Sequence, residues 1–161
     1  MKRFLAIVLL ILAPGLTAWS GDTAPWFVGP GIRLGYVFGE NGGFSFGWEL
    51  SVFTWTRWDP KGDRDGVVGI VFDMDRCRST TKFHVGIEGS QRFVGMSIGP
   101  TLITRDKERF LGFTATAYGW YIFLPYYSYT FVGGGTDVHE VGDYIKLWIP
   151  LTNERLFSVG G

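Results

Sequence analysis

The 161 residues carry 15 Lys+Arg against 15 Asp+Glu, so there is no net charge and no basic excess of the kind a nucleic-acid partner requires. Aromatic residues at 17% and 24 glycines lean towards β structure in a single domain. The only cysteine is Cys77, which excludes an intramolecular disulfide and leaves strand pairing and packing to hold the fold.

The chain opens with Met1-Lys2-Arg3, an apolar run over 4–13, Pro14-Gly15 and the small-residue site Ala18-Trp19-Ser20. These are the three parts of a secretory signal peptide, with cleavage expected after Ser20 and residues 21–161 left as one barrel domain. Retention as a membrane anchor is the alternative, for which the apolar run is short. No cysteine near the cleavage site offers a lipid anchor.

Residues 28–39 alternate Ile32, Leu34, Tyr36 and Phe38 against Arg33, Gly35 and Val37, and end at Glu40-Asn41-Gly42-Gly43. Asn-Gly between two alternating runs signals a hairpin, because the favoured turn needs positive φ at its centre. The next run, 44–55, sets Phe44, Phe46, Trp48, Leu50 and Val52 on one face and Ser45, Gly47, Glu49 and Ser51 on the other. A polar loop over 56–65 follows. Residues 67–75 turn Val68, Ile70, Phe72 and Met74 outward, a turn is expected over 76–80, and 82–88 answers with Phe83, Val85 and Ile87. After a tight turn at Ser90-Gln91, the uncharged run 93–104 sets Val94, Met96 and Ile98 against Gly95, Ser97 and Gly99. Arg105-Asp106-Lys107-Glu108-Arg109 is the next polar tip.

Residues 110–136 contain no charge at all, long enough for a transmembrane helix. Their composition argues against one. Phe, Tyr, Trp, Thr and Ile dominate, and Pro125 falls where a helix would lose a hydrogen bond. Two strands joined near Leu124-Pro125 fit better, the first alternating Leu111, Phe113, Ala115 and Ala117 with Gly112, Thr114, Thr116 and Tyr118. A final run, 142–151, sets Ile145, Leu147 and Ile149 against Tyr144, Lys146 and Trp148.

Eight runs of this kind are each about nine to eleven residues long, enough for tilted strands to cross a bilayer, and an even antiparallel count can close. In lipid an open edge would leave backbone amides unpaired, so closure is required. The expected fold is all-β, an eight-stranded antiparallel up-and-down transmembrane barrel. With the N-terminus in the periplasm, the tips at Asn41, 76–80, 105–109 and 133–140 face outside. Trp26, Phe27, Trp55, Trp58, Phe93, Phe123, Tyr126 and Trp148 then fall at the periplasmic level, as an interfacial aromatic girdle would.

This pattern resembles the small eight-stranded outer-membrane barrels of the OmpA and OmpX type over nearly all of the mature chain. Glu140-Val141-Gly142-Asp143-Tyr144-Ile145-Lys146-Leu147 looks like the last-strand insertion signal of that class, here with residues 148–161 still to follow. The resemblance implies a location in the outer membrane, contact with its lipid and lipopolysaccharide, and insertion by the barrel-assembly machinery. It implies no cofactor.

Catalysis has little to stand on. Lipid A deacylase barrels carry a His-x-Ser pair, but His84 is followed by Val85-Gly86 and His139 by Glu140-Val141. Signatures of palmitoyl-transferring and protease barrels are also missing, so a lipid-modifying enzyme is a distant alternative. Asp73, Asp75 and His84 show no recurring metal-ligand spacing and read more simply as a satisfied lumen or rim network. A soluble lipocalin-like barrel holding an apolar ligand would explain the same alternation, yet it needs a charged outer face and a Gly-x-Trp signature that the first strand lacks.

Two groups of residues are singled out. Arg33, Glu49, Asp73, His84, Glu88 and Lys146 fall on the inward face and are expected to form a lumen polar network, the inward set Arg33, Lys82 and Lys146 matching Glu49, Asp73 and Glu88 in charge. Arg76, Arg78, Lys82, Arg105, Lys107 and Arg109 come from two neighbouring tips and are expected to gather where lipopolysaccharide presents phosphates, with Asp75, Asp106 and Glu108 as the local acids.

Overall fold

In a computed structural model, residues 26–39, 42–56, 66–91, 94–119 and 124–151 are described. The signal peptide expected over 1–20, the turn expected at Asn41, most of the loop expected over 56–65 including Trp58, the girdle residues Phe93 and Phe123, and residues 152–161 lie outside them. The strands are β1 Trp26–Phe38, β2 Gly43–Thr56, β3 Gly66–Cys77, β4 Thr80–Gln91, β5 Val94–Arg105, β6 Glu108–Gly119, β7 Leu124–Val132, β8 Val138–Lys146 and the short β9 Ile149–Pro150. Each pairs antiparallel with the next through β8, and β1 pairs both β2 and β8, which closes the sheet.

The β9 pair prolongs β8 rather than adding a ninth wall strand. Gly31↔Lys146 and Phe27↔Pro150 keep one register along β1. Between them stands Pro30, which has no N–H to give to the ladder; it only accepts, from the Leu147 N–H at 2.9 Å. The barrel therefore has eight strands, and the final run begins at Val138 rather than at Gly142.

Turns are tighter than the polarity of the sequence suggests. Between β3 and β4 only Arg78 and Ser79 lie outside the strands, with Arg78 at φ 50°, so Arg76 and Cys77 belong to β3 and Thr80 to β4. Asp106 and Lys107 alone join β5 to β6, both at positive φ (48° and 73°), the backbone twist that two-residue hairpins favour. Ser90 and Gln91 are strand residues of β4, and Leu124 and Pro125 open β7, so neither pair is the turn expected there; residues 92–93 and 120–123 lie outside the described residues. Residues 110–136 thus divide between two strands, not one helix.

Side-chain phase follows the period of two on every strand. Ile32 (52% exposed), Phe46 (58%), Met96 (54%) and Leu111 (59%) stand outside, whereas Arg33, Asp73, Thr101 and Thr114 are buried inside. Such a distribution inverts a water-soluble protein and makes an apolar belt around a polar lumen.

Candidate functional site

The lumen holds two ion-pair networks separated by tyrosines. On the tip side, the Arg33 guanidinium reaches Asp73 (2.8 Å) and Asp75 (3.5 Å), and the Lys82 ammonium bridges Asp75 (3.0 Å) and Glu140 (2.7 Å). Glu140 also accepts hydrogen bonds from the hydroxyls of Ser45 (2.7 Å) and Tyr126 (2.6 Å). The ring of Tyr126 lies 4.5 Å from the Arg33 guanidinium carbon, a cation–π contact. Nearer the chain termini, Lys146 bridges Glu49 (2.8 Å) and Glu88 (2.9 Å). Tyr118, Tyr126 and Tyr144 pack together between the two.

Around the wall at the Arg33 level runs a ladder of hydroxyls. His84 Nδ1 lies 3.1 Å from Thr101 Oγ1, which is 2.6 Å from Thr114 Oγ1, itself 2.8 Å from Thr130 Oγ1. The inward phase of β4 to β7 stacks one short polar side chain beside the next, so each hydroxyl satisfies its neighbour. Of the residues expected to form the lumen network, Arg33, Glu49, Asp73, Glu88 and Lys146 join the ion pairs and His84 joins this ladder.

Sequence reasoning misplaced two members and gave a third two positions. Asp75, expected as a rim acid, is buried in the lumen between Arg33 and Lys82. Glu140, expected in an outer tip, is 1% exposed and accepts from three donors. Lys82, expected both in the inward set and among the rim cations, is 5% exposed and held by both carboxylates, so only the inward expectation stands. Among the described residues, five buried carboxylates therefore share three ion-paired cations, not an equal set. A strand run to its true end, with strict alternation through Cys77 and back to Val138, is the signal that would have found them.

The aromatic girdle is also corrected. Phe27, Trp55 and Trp148 cluster with the buried Phe53 instead of lining up in the lipid interface: Phe27 stacks on Phe53 at 5.6 Å, and Trp148 meets Phe53 at 5.1 Å and Trp55 at 5.7 Å. Phe27, Phe53 and Trp55 share the inward phase, so the cluster plugs the terminus end of the lumen. Tyr126, buried at 4%, is likewise a lumen residue. At the tip end Ile103, Val132 and Val138 form a small apolar cluster with Val37 and Phe110. One cavity of about 360 Å³ lies at the terminus end, against Phe53, Glu88, Tyr144 and Lys146, and another of about 400 Å³ at the tip end, against Ser45, Lys82, Arg105 and Glu140. They share no lining residue, and the Arg33 layer stands between them.

The rim cations do not form one cluster. Arg76 and Arg109 are exposed on the outer face, and Arg78 and Lys107 sit in the turns. Arg105 has the inward phase and lines the tip-end cavity. Beside this rim, Asp137 accepts hydrogen bonds from the Tyr129 hydroxyl (2.5 Å) and the Val132 N–H (3.0 Å), and the first of these holds its carboxyl below the usual range.

Among the described residues no three His, Cys, Asp or Glu side chains are grouped to hold a metal ion. Neither histidine meets a serine: His84 faces Thr101, and His139 Nδ1 lies 2.7 Å from the Tyr127 hydroxyl on the outer face.

The sequence matches no family model and no curated protein. Among solved structures, the chain is similar to Neisserial surface protein A, with TM-score 0.53 and 8% identity over 77% of this chain and 96% of that one. Ail, the attachment invasion locus protein of Yersinia pestis, aligns at TM-score 0.22 and 12% identity over 76% of this chain and 99% of that one. At such identity the likeness speaks for the fold alone. Closure through β1, eight wall strands and this neighbour agree: the chain is an eight-stranded antiparallel up-and-down barrel with the fold of the small outer-membrane barrels.

Proposed function

We propose that the protein resides in the outer membrane as a structural or surface barrel with no open pore, its tip end facing out and its rim meeting lipopolysaccharide phosphates. The observation that carries this reading is the pairing of an apolar outer belt with a lumen crossed by Arg33–Asp73 and the hydroxyl ladder. Eight strands leave an interior just wide enough for side chains, and here ion pairs and the hydroxyl ladder tie many of them to one another. A soluble lipocalin-like carrier would place Ile32, Phe46 and Leu111 in water, against the hydrophobic effect, and its ligand space would be occupied by ion pairs. Purified protein reconstituted in planar bilayers is expected to give no conductance steps of porin size; such steps would overturn the closed reading.

A further inference from the structure

The register of β3 to β6 draws a line across the outer face of the tip end. Arg76 pairs with Thr81, Thr81 with Thr104 and Thr104 with Arg109, so four side chains stand in one row on four adjacent strands. All four have the outward phase: Cys77, Lys82 and Ile103, their chain neighbours, are buried in the lumen. One outward step towards the middle of the barrel, Met74, Phe83, Leu102 and Leu111 form a parallel row by the same register, apolar throughout. Adjacent strands lie about 4.8 Å apart, which separates the two arginine backbones by roughly 14 Å with two hydroxyls between them. Among the described residues, neither arginine lies within ion-pair distance of a carboxylate.

We infer that this row is a two-point docking strip for one anionic glycolipid that carries two phosphates on a sugar core. Each arginine takes one phosphate through its bidentate fork, the sugar hydroxyls meet Thr81 and Thr104, and the acyl chains lie on the apolar row. The inference rests on the tip end facing out, and it narrows the rim contact from a general cationic surface to a fixed spacing. Single exposed charge contacts are weak. Two held at a set distance by one rigid sheet reinforce each other, because the second contact forms within an already bound lipid. Lys107 adjoins Asp106 and Glu108 beyond the row, and Arg105 turns inward, so neither belongs to the strip.

The test uses the full mature chain in phosphatidylcholine nanodiscs doped with bisphosphorylated lipid A, monophosphorylated lipid A or phosphatidylglycerol, with bound lipid counted by native mass spectrometry. The bisphosphorylated form is expected to bind at least about tenfold more tightly than the other two. Arg76→Gln or Arg109→Gln should each bring it down to the monophosphorylated level, while Lys107→Gln should leave it unchanged. Equal binding of the two lipid A forms, or equal loss in Lys107→Gln, would overturn the strip while leaving general contact with anionic lipid intact. No preference for any anionic lipid over phosphatidylcholine would overturn both. Circular dichroism and heat-modifiable migration of each variant separate lost binding from lost fold.

Discussion

Lys82→Met is expected to destabilise the folded barrel by about 3–5 kcal/mol, because it leaves Asp75 and Glu140 buried without their shared cation. Both carboxylates lie within 3.0 Å of the ammonium, and both are at least 96% buried on the side-chain measure. Methionine keeps most of the volume, so the loss reports charge rather than a cavity. Removing the two stranded charges in the triple variant Lys82→Met, Asp75→Asn, Glu140→Gln should recover most of it, since a pair replaced at both ends costs far less than a pair broken at one. Urea unfolding in lipid vesicles, followed by tryptophan fluorescence, measures all of these. A single variant within about 1 kcal/mol of the parent would mean that water reaches and screens these carboxylates.

The second large effect is steric. Gly99→Val is expected to cost at least about 3 kcal/mol, or to abolish the folded, heat-modifiable form, because the site is already full. A Cβ on Gly99 would stand 2.2 Å from the Val85 carbonyl oxygen and 2.6 Å from Gly86 Cα, both backbone atoms that cannot swing aside. The ladder between β4 and β5 has a gap here, between His84↔Thr101 and Ile87↔Ile98, with the same register on either side. Pro100 has no N–H to give to that ladder. Gly89→Ala is the control: its Cβ would meet only the Val67 carbonyl oxygen, at 3.8 Å, and a change within about 0.5 kcal/mol is expected. Equal unfolding midpoints for the two variants would show that the strands can part at Gly86–Gly99 without penalty.

Much of this architecture was legible because a strand has a side-chain period of two and here one apolar side. Once Ile32, Leu34 and Tyr36 are set outward, Arg33 can only point in, and the same logic places Glu49, Asp73, His84, Glu88 and Lys146. Strand ends were not legible. Charged residues near a turn look like loop, which sends Asp75 and Glu140 to the tips and leaves Lys82 with both an inward and a rim expectation, although the ladder runs past all three to Cys77, Thr80 and Val138. Their mutual ion pairs are what makes those positions tolerable inside, and pairing between distant strands leaves no local signature. The aromatic residues failed for a related reason. Height along the barrel suggested a girdle, but phase decides the side, and Phe27, Phe53 and Trp55 carry the inward phase. The tip cations were expected together because their hairpins are neighbours; alternation instead divides them, Arg76 and Arg109 outward, Arg105 inward.

The central claim is that the apolar face meets lipid and the polar face is enclosed. Its most direct measurement is nuclear Overhauser contact between isoleucine and valine methyl groups and lipid acyl chains, with the protein in nanodiscs. The methyls of Ile32, Ile98 and Ile145, which are 52%, 41% and 55% exposed, are expected to show strong cross-peaks to acyl-chain protons. Those of Ile103 and Val71, each 1% exposed on the lumen side, should show none. Acyl contacts at Ile103 and Val71, or water contacts in place of lipid at Ile32, Ile98 and Ile145, would contradict the account.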